Sequence, residues 1–152
     1  MGSEAKLFTT LLLADDDPDD RLLIRDALEE AGLTVDLRSV DDGEELMDYL
    51  YRRGRYADLA ESPPPSLVLL DLWMPRKSGY QVLEEIRAVP ELRLLPIVVL
   101  TTSNAEEDIL SAYDLGATSY IVKPPTFEAL VEAMTVLGRY WFGIVTLPPG
   151  KL

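Results

Sequence analysis

Short apolar runs alternate along this chain with stretches in which apolar residues recur every three or four positions. Leu11–Ala14, Leu67–Leu70 and Ile97–Leu100 are the near-continuous runs. Runs of this length with no polar interruption predict strands buried on both faces. Thr34–Val40 alternates and Ser119–Val122 is brief, and each predicts one more strand. Between them, Pro18–Ala31 carries Leu22, Leu23, Ile24, Ala27 and Leu28 as a helical stripe, stopped by Gly32. Glu44–Arg53 turns Leu46, Met47, Leu50 and Tyr51 to one side, and Tyr80–Val89 is a helix opened by Gly79. Ala105–Leu115 is a helix ended by Gly116, and Phe127–Phe142 is the last. Arg52–Pro65 has no such period and closes on Pro63-Pro64-Pro65, which predicts an extended loop.

Strand and helix thus alternate five times. That pattern predicts an α/β fold, a doubly wound parallel sheet with helices on both faces. In such sheets ligands sit beyond the carboxyl ends of the strands, near the point where strand order reverses. The 152 residues suit one domain, and 47% apolar residues can supply its core. No apolar run approaches the ~20 residues of a membrane helix. Met1–Thr10 lacks a basic stretch followed by an apolar one, so a cytoplasmic location is expected. The absence of Cys and His removes disulfides, thiol nucleophiles, His-ligated metals and Ser-His-Asp catalysis. Any phosphohistidine must then come from another protein. A net charge of −13, from 27 acidic and 14 basic residues, repels nucleic acid.

The candidate chemistry lies at the predicted strand ends. The first ends in Asp15-Asp16-Asp17, the third in Asp71, the fourth in Thr101-Thr102-Ser103 and the fifth in Lys123-Pro124. Carboxylates packed together repel unless a cation joins them, and an all-oxygen set favours Mg²⁺. A carboxylate can attack a phosphoryl group to give an aspartyl-phosphate. A metal, an ammonium and a hydroxyl can neutralise the charge that develops. Asp71, on the strand expected to be central, is the natural nucleophile, with Asp15 and Asp16 the natural metal holders. Pro18 suits the first position of a helix, so Asp17 is expected as its N-cap, with Asp19 and Asp20 in the first turn facing the helix dipole. Thr102 and Ser103 are expected to serve the loop or cap the next helix.

Four segments carry a family resemblance: Leu11–Pro18 (LLLADDDP), Val68–Gly79 (VLLDLWMPRKSG), Pro96–Ser103 (PIVVLTTS) and Gly116–Pro124 (GATSYIVKP). Together they resemble receiver domains of two-component response regulators, over about residues 7–142. The resemblance implies a flavodoxin-like five-stranded sheet of order 2-1-3-4-5 flanked by five helices. It makes Asp71 the phosphoacceptor. Asp16 is implied as a direct Mg²⁺ ligand, Asp15 as a ligand through water and the Trp73 backbone carbonyl as the third protein ligand. Thr101 matches the hydroxyl that follows the phosphate, Lys123 the lysine that pairs with it, and Tyr120 the aromatic that swings inward on activation. Lys123-Pro124 matches a bond that is often cis in the family. The implied donor is a sensor histidine kinase, and the implied output is contact with a downstream protein or phosphorelay, with no steady enzymatic turnover.

Two positions depart from the pattern. Trp73 stands where a smaller, often polar residue is common, and its indole is expected to slow attack of water on the aspartyl-phosphate. Ser78 stands where Asp often precedes the glycine. The C-terminus is also longer than a minimal receiver, running through Tyr140-Trp141-Phe142 to Leu147-Pro148-Pro149. Phe127, Leu130, Met134, Leu137 and Trp141 form one stripe, while Val131, Val136 and Tyr140 add apolar surface elsewhere, which suggests a partner. With the Arg52–Pro65 loop and the Thr101-Thr102-Ser103 triplet, this end resembles single-domain regulators that serve phytochrome-type kinases such as bacteriophytochromes. That likeness divides the chain into a receiver domain, 1–142, and an extension, 143–152, expected to be a dimer arm, with Tyr140, Trp141, Phe142, Ile144 and Leu147 at a homodimer interface.

Other readings of the same sheet fit less well. An aspartyl-nucleophile phosphatase or mutase commonly carries an acid/base Asp two residues after the first, where Trp73 stands. A flavin module needs a neutral phosphate loop after the first strand, where Asp15-Asp16-Asp17 would repel it. A receiver-like scaffold that is never phosphorylated usually lacks an acid or the lysine, and both are present.

Overall fold

A computed structural model describes residues 9–148. Five strands, β1 (Thr9–Ala14), β2 (Val35–Val40), β3 (Leu67–Leu70), β4 (Ile97–Thr101) and β5 (Ser119–Val122), form one parallel sheet in the order β2-β1-β3-β4-β5. The helices are α1 (Pro18–Glu30), α2 (Gly43–Tyr51), α3 (Gly79–Ala88), α4 (Glu106–Asp114) and α5 (Phe127–Arg139). Among the described residues, no helix is long and apolar enough to cross a membrane.

Alternate side chains of the central strands point to opposite faces, and each face has its own core. Leu12, Ala14, Val68, Leu70 and Val99 meet Leu46 and Leu50 of α2, Val82, Leu83 and Ile86 of α3, and Ala112 of α4. Leu11, Leu13, Leu67, Leu69, Val98 and Leu100 meet Ile24 and Leu28 of α1 and Leu130, Met134 and Leu137 of α5. Burial on both faces explains why these strands contain no polar interruption.

Local signals set the helix starts. Asp17 caps α1, its side chain accepting from the Asp19 N–H, with Pro18 at the first helical position. Asp42 caps α2 and Thr126 caps α5. Ser78 and Gln81 make a reciprocal capping box at α3, so the serine in place of an aspartate still starts that helix. Gly79 admits a close approach, since a Cβ there would lie 2.5 Å from the Asp71 carbonyl oxygen. That approach seats α3 directly against the end of β3.

Two segments differ from the sequence-based expectation. Arg52–Pro65 is tied down, with a 3₁₀ turn at Gly54–Tyr56. The Tyr49 hydroxyl donates to the Pro63 carbonyl at 2.6 Å, the Arg38 guanidinium to the Glu61 carbonyl at 2.5 Å, and Arg52 to the Ser62 carbonyl. The last α-helix stops at Arg139, three residues short of Phe142, and Tyr140–Ile144 form a π-helical turn closed by the Val145 N–H on the Tyr140 carbonyl at 2.9 Å. Residues 1–8 and 149–152 lie outside the described residues, and with them most of the Met1–Thr10 leader reading and the end of the extension.

Candidate functional site

Strand register builds the site. Ala14 is paired with Leu70 across β1 and β3, so the next residues, Asp15 and Asp71, emerge side by side. The Asp71 N–H donates to the Ala14 carbonyl at 3.0 Å and extends that pairing by one step. Thr101 is paired with Val122 across β4 and β5, and the Lys123 N–H donates to the Thr101 carbonyl at 2.7 Å. Four strand ends therefore deliver Asp15, Asp71, Thr101 and Lys123 to one rim of the sheet, around the place where strand order reverses between β1 and β3.

Asp15, Asp16 and Asp71 each offer a carboxylate oxygen to a cluster whose atoms lie within 4.8 Å of one another. Asp15 is 1% exposed, whereas Asp16 is exposed to solvent. Burial, helped by a hydrogen bond with Asp20, pushes the Asp15 carboxyl up to about 7. Burial also raises the Asp71 carboxyl, against the opposing charge of Lys123. The Asp15 carboxylate accepts the Asp17 N–H at 2.9 Å, and the Arg21 guanidinium donates to the Asp15 carbonyl at 2.6 Å. Trp73 places its backbone N–H 3.4 Å from Asp71 Oδ1. Its indole is half exposed and meets the Tyr80 ring edge-on at 5.6 Å.

Lys123 is the cationic centre of the group. Its Nζ lies 3.2 Å from Asp15 Oδ2 and 3.7 Å from Asp71 Oδ2, and it also bonds Asp20. Burial alone would lower the ammonium, but the Asp20 hydrogen bond and the Asp71 and Asp15 charges outweigh that and hold it above the ordinary lysine range. Asp20 lies in the first turn of α1 as expected and also reaches Lys123, a contact that the helix-dipole reading did not include. No local sequence signal distinguishes Asp20 from Asp19, because its partner is 103 residues away.

Thr101 is fully buried; its hydroxyl makes no hydrogen bond of ordinary geometry among the described residues, yet it lies close enough to Asp71 to favour that carboxylate's charged form. A buried hydroxyl without a partner costs free energy, so this one is poised for an incoming acceptor. The donors fit an oxygen-rich ligand and a divalent cation together: three clustered carboxylates, an ammonium among them and a buried hydroxyl. Tyr120 is half-buried, packed against the core on the α2–α4 face, with its hydroxyl on the Ser103 carbonyl at 2.9 Å. Its ring is already turned inward. No cis peptide bond occurs among the described residues, so Lys123–Pro124 is trans.

The residues expected at a dimer interface separate into two groups. Trp141 and Phe142 are half-buried against the core of their own domain, on the α1–α5 face. Tyr140 and Ile144 are 50% and 76% exposed, and Leu147 is half-buried.

Comparison with known proteins agrees with this geometry. The model of the response regulator receiver domain matches residues 11–135. Response regulator Rcp1 of Synechocystis sp. is 34% identical, over 97% of this chain and 99% of its own length. Its Mn²⁺-bound structure superposes with a TM-score of 0.82, at 35% identity over 93% of this chain and 99% of that one. The phosphorylated cyanobacterial phytochrome response regulator RcpA gives 0.85 at 37% identity, with the same coverage. Response regulator RPA3017, from red light signalling in R. palustris, gives 0.90 at 38% identity, again over 93% and 99%. The chain belongs to the response regulator receiver family.

Proposed function

We propose that Asp71 takes a phosphoryl group from a phosphohistidine on a sensor histidine kinase, and that the protein signals by holding it. The observation that carries this reading is the convergence on Asp71, one of three clustered carboxylates, of one ammonium and the buried Thr101 hydroxyl. An Asp71 carboxylate oxygen forms the bond to phosphorus as the P–N bond to the donor imidazole breaks. That electron pair returns to the ring nitrogen, and the donor, protonated at its other ring nitrogen, leaves as a neutral imidazole. In this reading Lys123 would pair with one phosphoryl oxygen and the Thr101 hydroxyl would donate to another.

Asp15, Asp16 and the Trp73 backbone carbonyl would hold Mg²⁺, which when bound supplies positive charge to the phosphoryl oxygens. The chain carries no acid/base group two residues after Asp71, where Trp73 stands. It therefore acts as a phosphoacceptor and not as a turnover enzyme. Relatives named for phytochrome and red light signalling support a phytochrome-type kinase as donor, and a match spanning 99% of Rcp1 supports a single-domain regulator as the form of the protein.

The test is intact mass after exposure to acetyl phosphate, with and without Mg²⁺. The expected result is a Mg²⁺-dependent gain of one phosphoryl group that Asp71→Asn abolishes. A gain that persists in Asp71→Asn moves the acceptor elsewhere and refutes the reading.

The same reading extends to a homodimer built on the edge of the sheet. β5 is an edge strand, and between it and α5 runs an open groove of about 540 Å³ lined by Ile121, Ala133, Val136, Tyr140 and Trp141. Val136 is 58% exposed there, and Tyr140 and Ile144 continue the apolar surface past the helix. A second copy of the chain would cover this face, with residues 143–152 as an arm beyond the receiver domain at 1–142. Deleting 143–152 should lower the solution mass to that of one chain, and an unchanged dimer removes the arm from the interface.

A further inference from the structure

The β4–α4 connection carries Thr101 at one end and the Ser103 carbonyl, on which Tyr120 is anchored, two residues later. The pattern of the sequence gives Thr102 and Ser103 to loop and cap. Yet α4 is capped at Ala105 with no side-chain hydrogen bond, so Ser103 is not its cap. Ser103 Oγ donates instead to Asp108 Oδ2 at 2.5 Å and accepts the Ala105 N–H at 3.2 Å. The other oxygen of Asp108 accepts the Tyr80 hydroxyl at 2.8 Å. Tyr80 belongs to α3, which Gly79 seats against the Asp71 carbonyl, and its ring meets Trp73.

One carboxylate on α4 therefore ties the loop that follows Thr101 to the helix that follows the acceptor loop. Both bonds are charge-assisted, the stronger kind. A third bond, from the Tyr120 hydroxyl, reaches the same loop from β5.

We propose that Tyr80, Asp108 and Ser103 form a staple that holds the β4–α4 loop, and with it Tyr120, in the inward arrangement before any phosphoryl group arrives. The inference rests on the reading of Asp71 and Thr101 given above, but the staple acts in the unphosphorylated protein. Its consequence follows from two-state energetics. If Tyr120 already sits inward, phosphorylation has less left to change, and the output is set by how firmly the staple holds. Tyr80, Asp108 and Ser103 are positioning residues, since none of them touches the phosphoryl group.

The experiment labels the tyrosines with 3-fluorotyrosine, assigns the Tyr120 ¹⁹F signal with Tyr120→Phe, and records the free protein. In the parent protein the inward signal should dominate. Tyr80→Phe keeps the ring on Trp73 and removes only the hydroxyl, and Asp108→Asn removes the charge. Each should reduce the inward-to-outward ratio about fivefold, the effect of one such hydrogen bond. Tyr51→Phe removes a comparable bond, from Tyr51 to Glu85 at 2.7 Å, on α2 and away from this loop, and should leave the ratio unchanged. An outward Tyr120 in the parent, or a ratio unmoved by both staple variants, overturns the proposal. Loss of the signal change in Tyr80→Phe alongside normal phosphoryl uptake condemns the staple and spares Asp71. Absence of uptake in the parent condemns the Asp71 reading and leaves the staple to be judged by its ¹⁹F ratio.

Discussion

Replacing Trp73 with Asn should shorten the life of the aspartyl-phosphate. The backbone N–H of Trp73 is within reach of Asp71 Oδ1, so the indole starts from a point one hydrogen bond away from the acceptor. Its edge-on contact with Tyr80 is what fixes it there, with the centroids 5.6 Å apart. An aromatic pair of this kind is worth about 0.5–1.5 kcal/mol, which holds the indole in place over its released position by a ratio of about 2 to 13. If water attacks only when the indole is released, the same energy lengthens the lifetime about 3- to 14-fold. Trp73→Asn should therefore lose phosphoryl about 3 to 14 times faster, followed by intact mass in Mg²⁺ after the donor is removed. Tyr80→Leu and Tyr80→Phe both lack the hydroxyl, but only the second keeps the ring. The leucine variant should release phosphoryl faster than the phenylalanine variant. Equal lifetimes for Trp73→Asn and the parent protein would refute the shielding mechanism, and equal lifetimes for the two Tyr80 variants would refute the role of the aromatic contact.

Further outcomes follow from neighbouring contacts. Gly43→Ala would place a Cβ 2.0 Å from the Lys77 carbonyl oxygen, so the loop after β3 must move; the expected loss is about 1–3 kcal/mol, read from the urea midpoint. The Lys77 hydrogen bond, then that of Tyr51, holds the Glu85 carboxyl below the ordinary carboxylate range. A depressed folded value stabilises above the unfolded range and is lost as pH falls through the folded value. Glu85→Gln should accordingly be less stable than the parent at pH 7 by about 0.5 kcal/mol, with the gap closing in acid; a gap of equal size at low pH argues against the ionic contribution. Asp16→Asn should weaken Mg²⁺ binding at least about tenfold, since one charged oxygen of a hard-ion site is lost; indole emission from Trp73 in a Trp141→Phe background would report it, and an unchanged affinity removes Asp16 from the site.

The central strands were legible because burial on both faces leaves no room for polar residues. Leu11–Ala14 and Leu67–Leu70 could hardly be read as anything else, and the residues at their ends were legible for the same reason. Once the strand ends were located, parallel register alone placed Asp15 beside Asp71 and Lys123 beside Thr101. Arg52–Pro65 was opaque because its order comes from distant partners, with Tyr49, Arg38 and Arg52 each reaching a carbonyl that no local pattern marks. The switch from α to π geometry at Tyr140 was equally hidden, since Trp141 and Phe142 keep an apolar pattern through it. Ser103 serves the loop as expected, accepting the Ala105 N–H, but its bond to Asp108 was hidden because Asp108 resembles any first-turn acid.

Asp20 changes how the charge of the site is read. Lys123 engages Asp15, Asp20 and Asp71, while Asp16 joins Asp15 and Asp71 in the carboxylate cluster. One ammonium thus stands among four carboxylates, one of which, Asp15, is pushed up to about 7 and is only part-ionised near neutrality, so the surplus lies between two and three negative charges in a partly buried place. Phosphorylation of Asp71 replaces one negative charge with about two, because a phosphoryl group carries roughly −1.5 to −2 at neutral pH. At short range and reduced dielectric each added repulsion is worth several kcal/mol at most, a cost that a divalent cation beside the acids would offset. The new phosphoryl oxygens then compete for Lys123 with its existing partners. Asp15 is buried and its backbone neighbours hold it, through the Asp17 N–H and the Arg21 contact to its carbonyl. Asp20 has no such support and is the less buried of the two. If Asp71 takes a phosphoryl group as proposed, Asp20 is the partner that would give up the ammonium, and its release would loosen Lys123 from the first turn of α1.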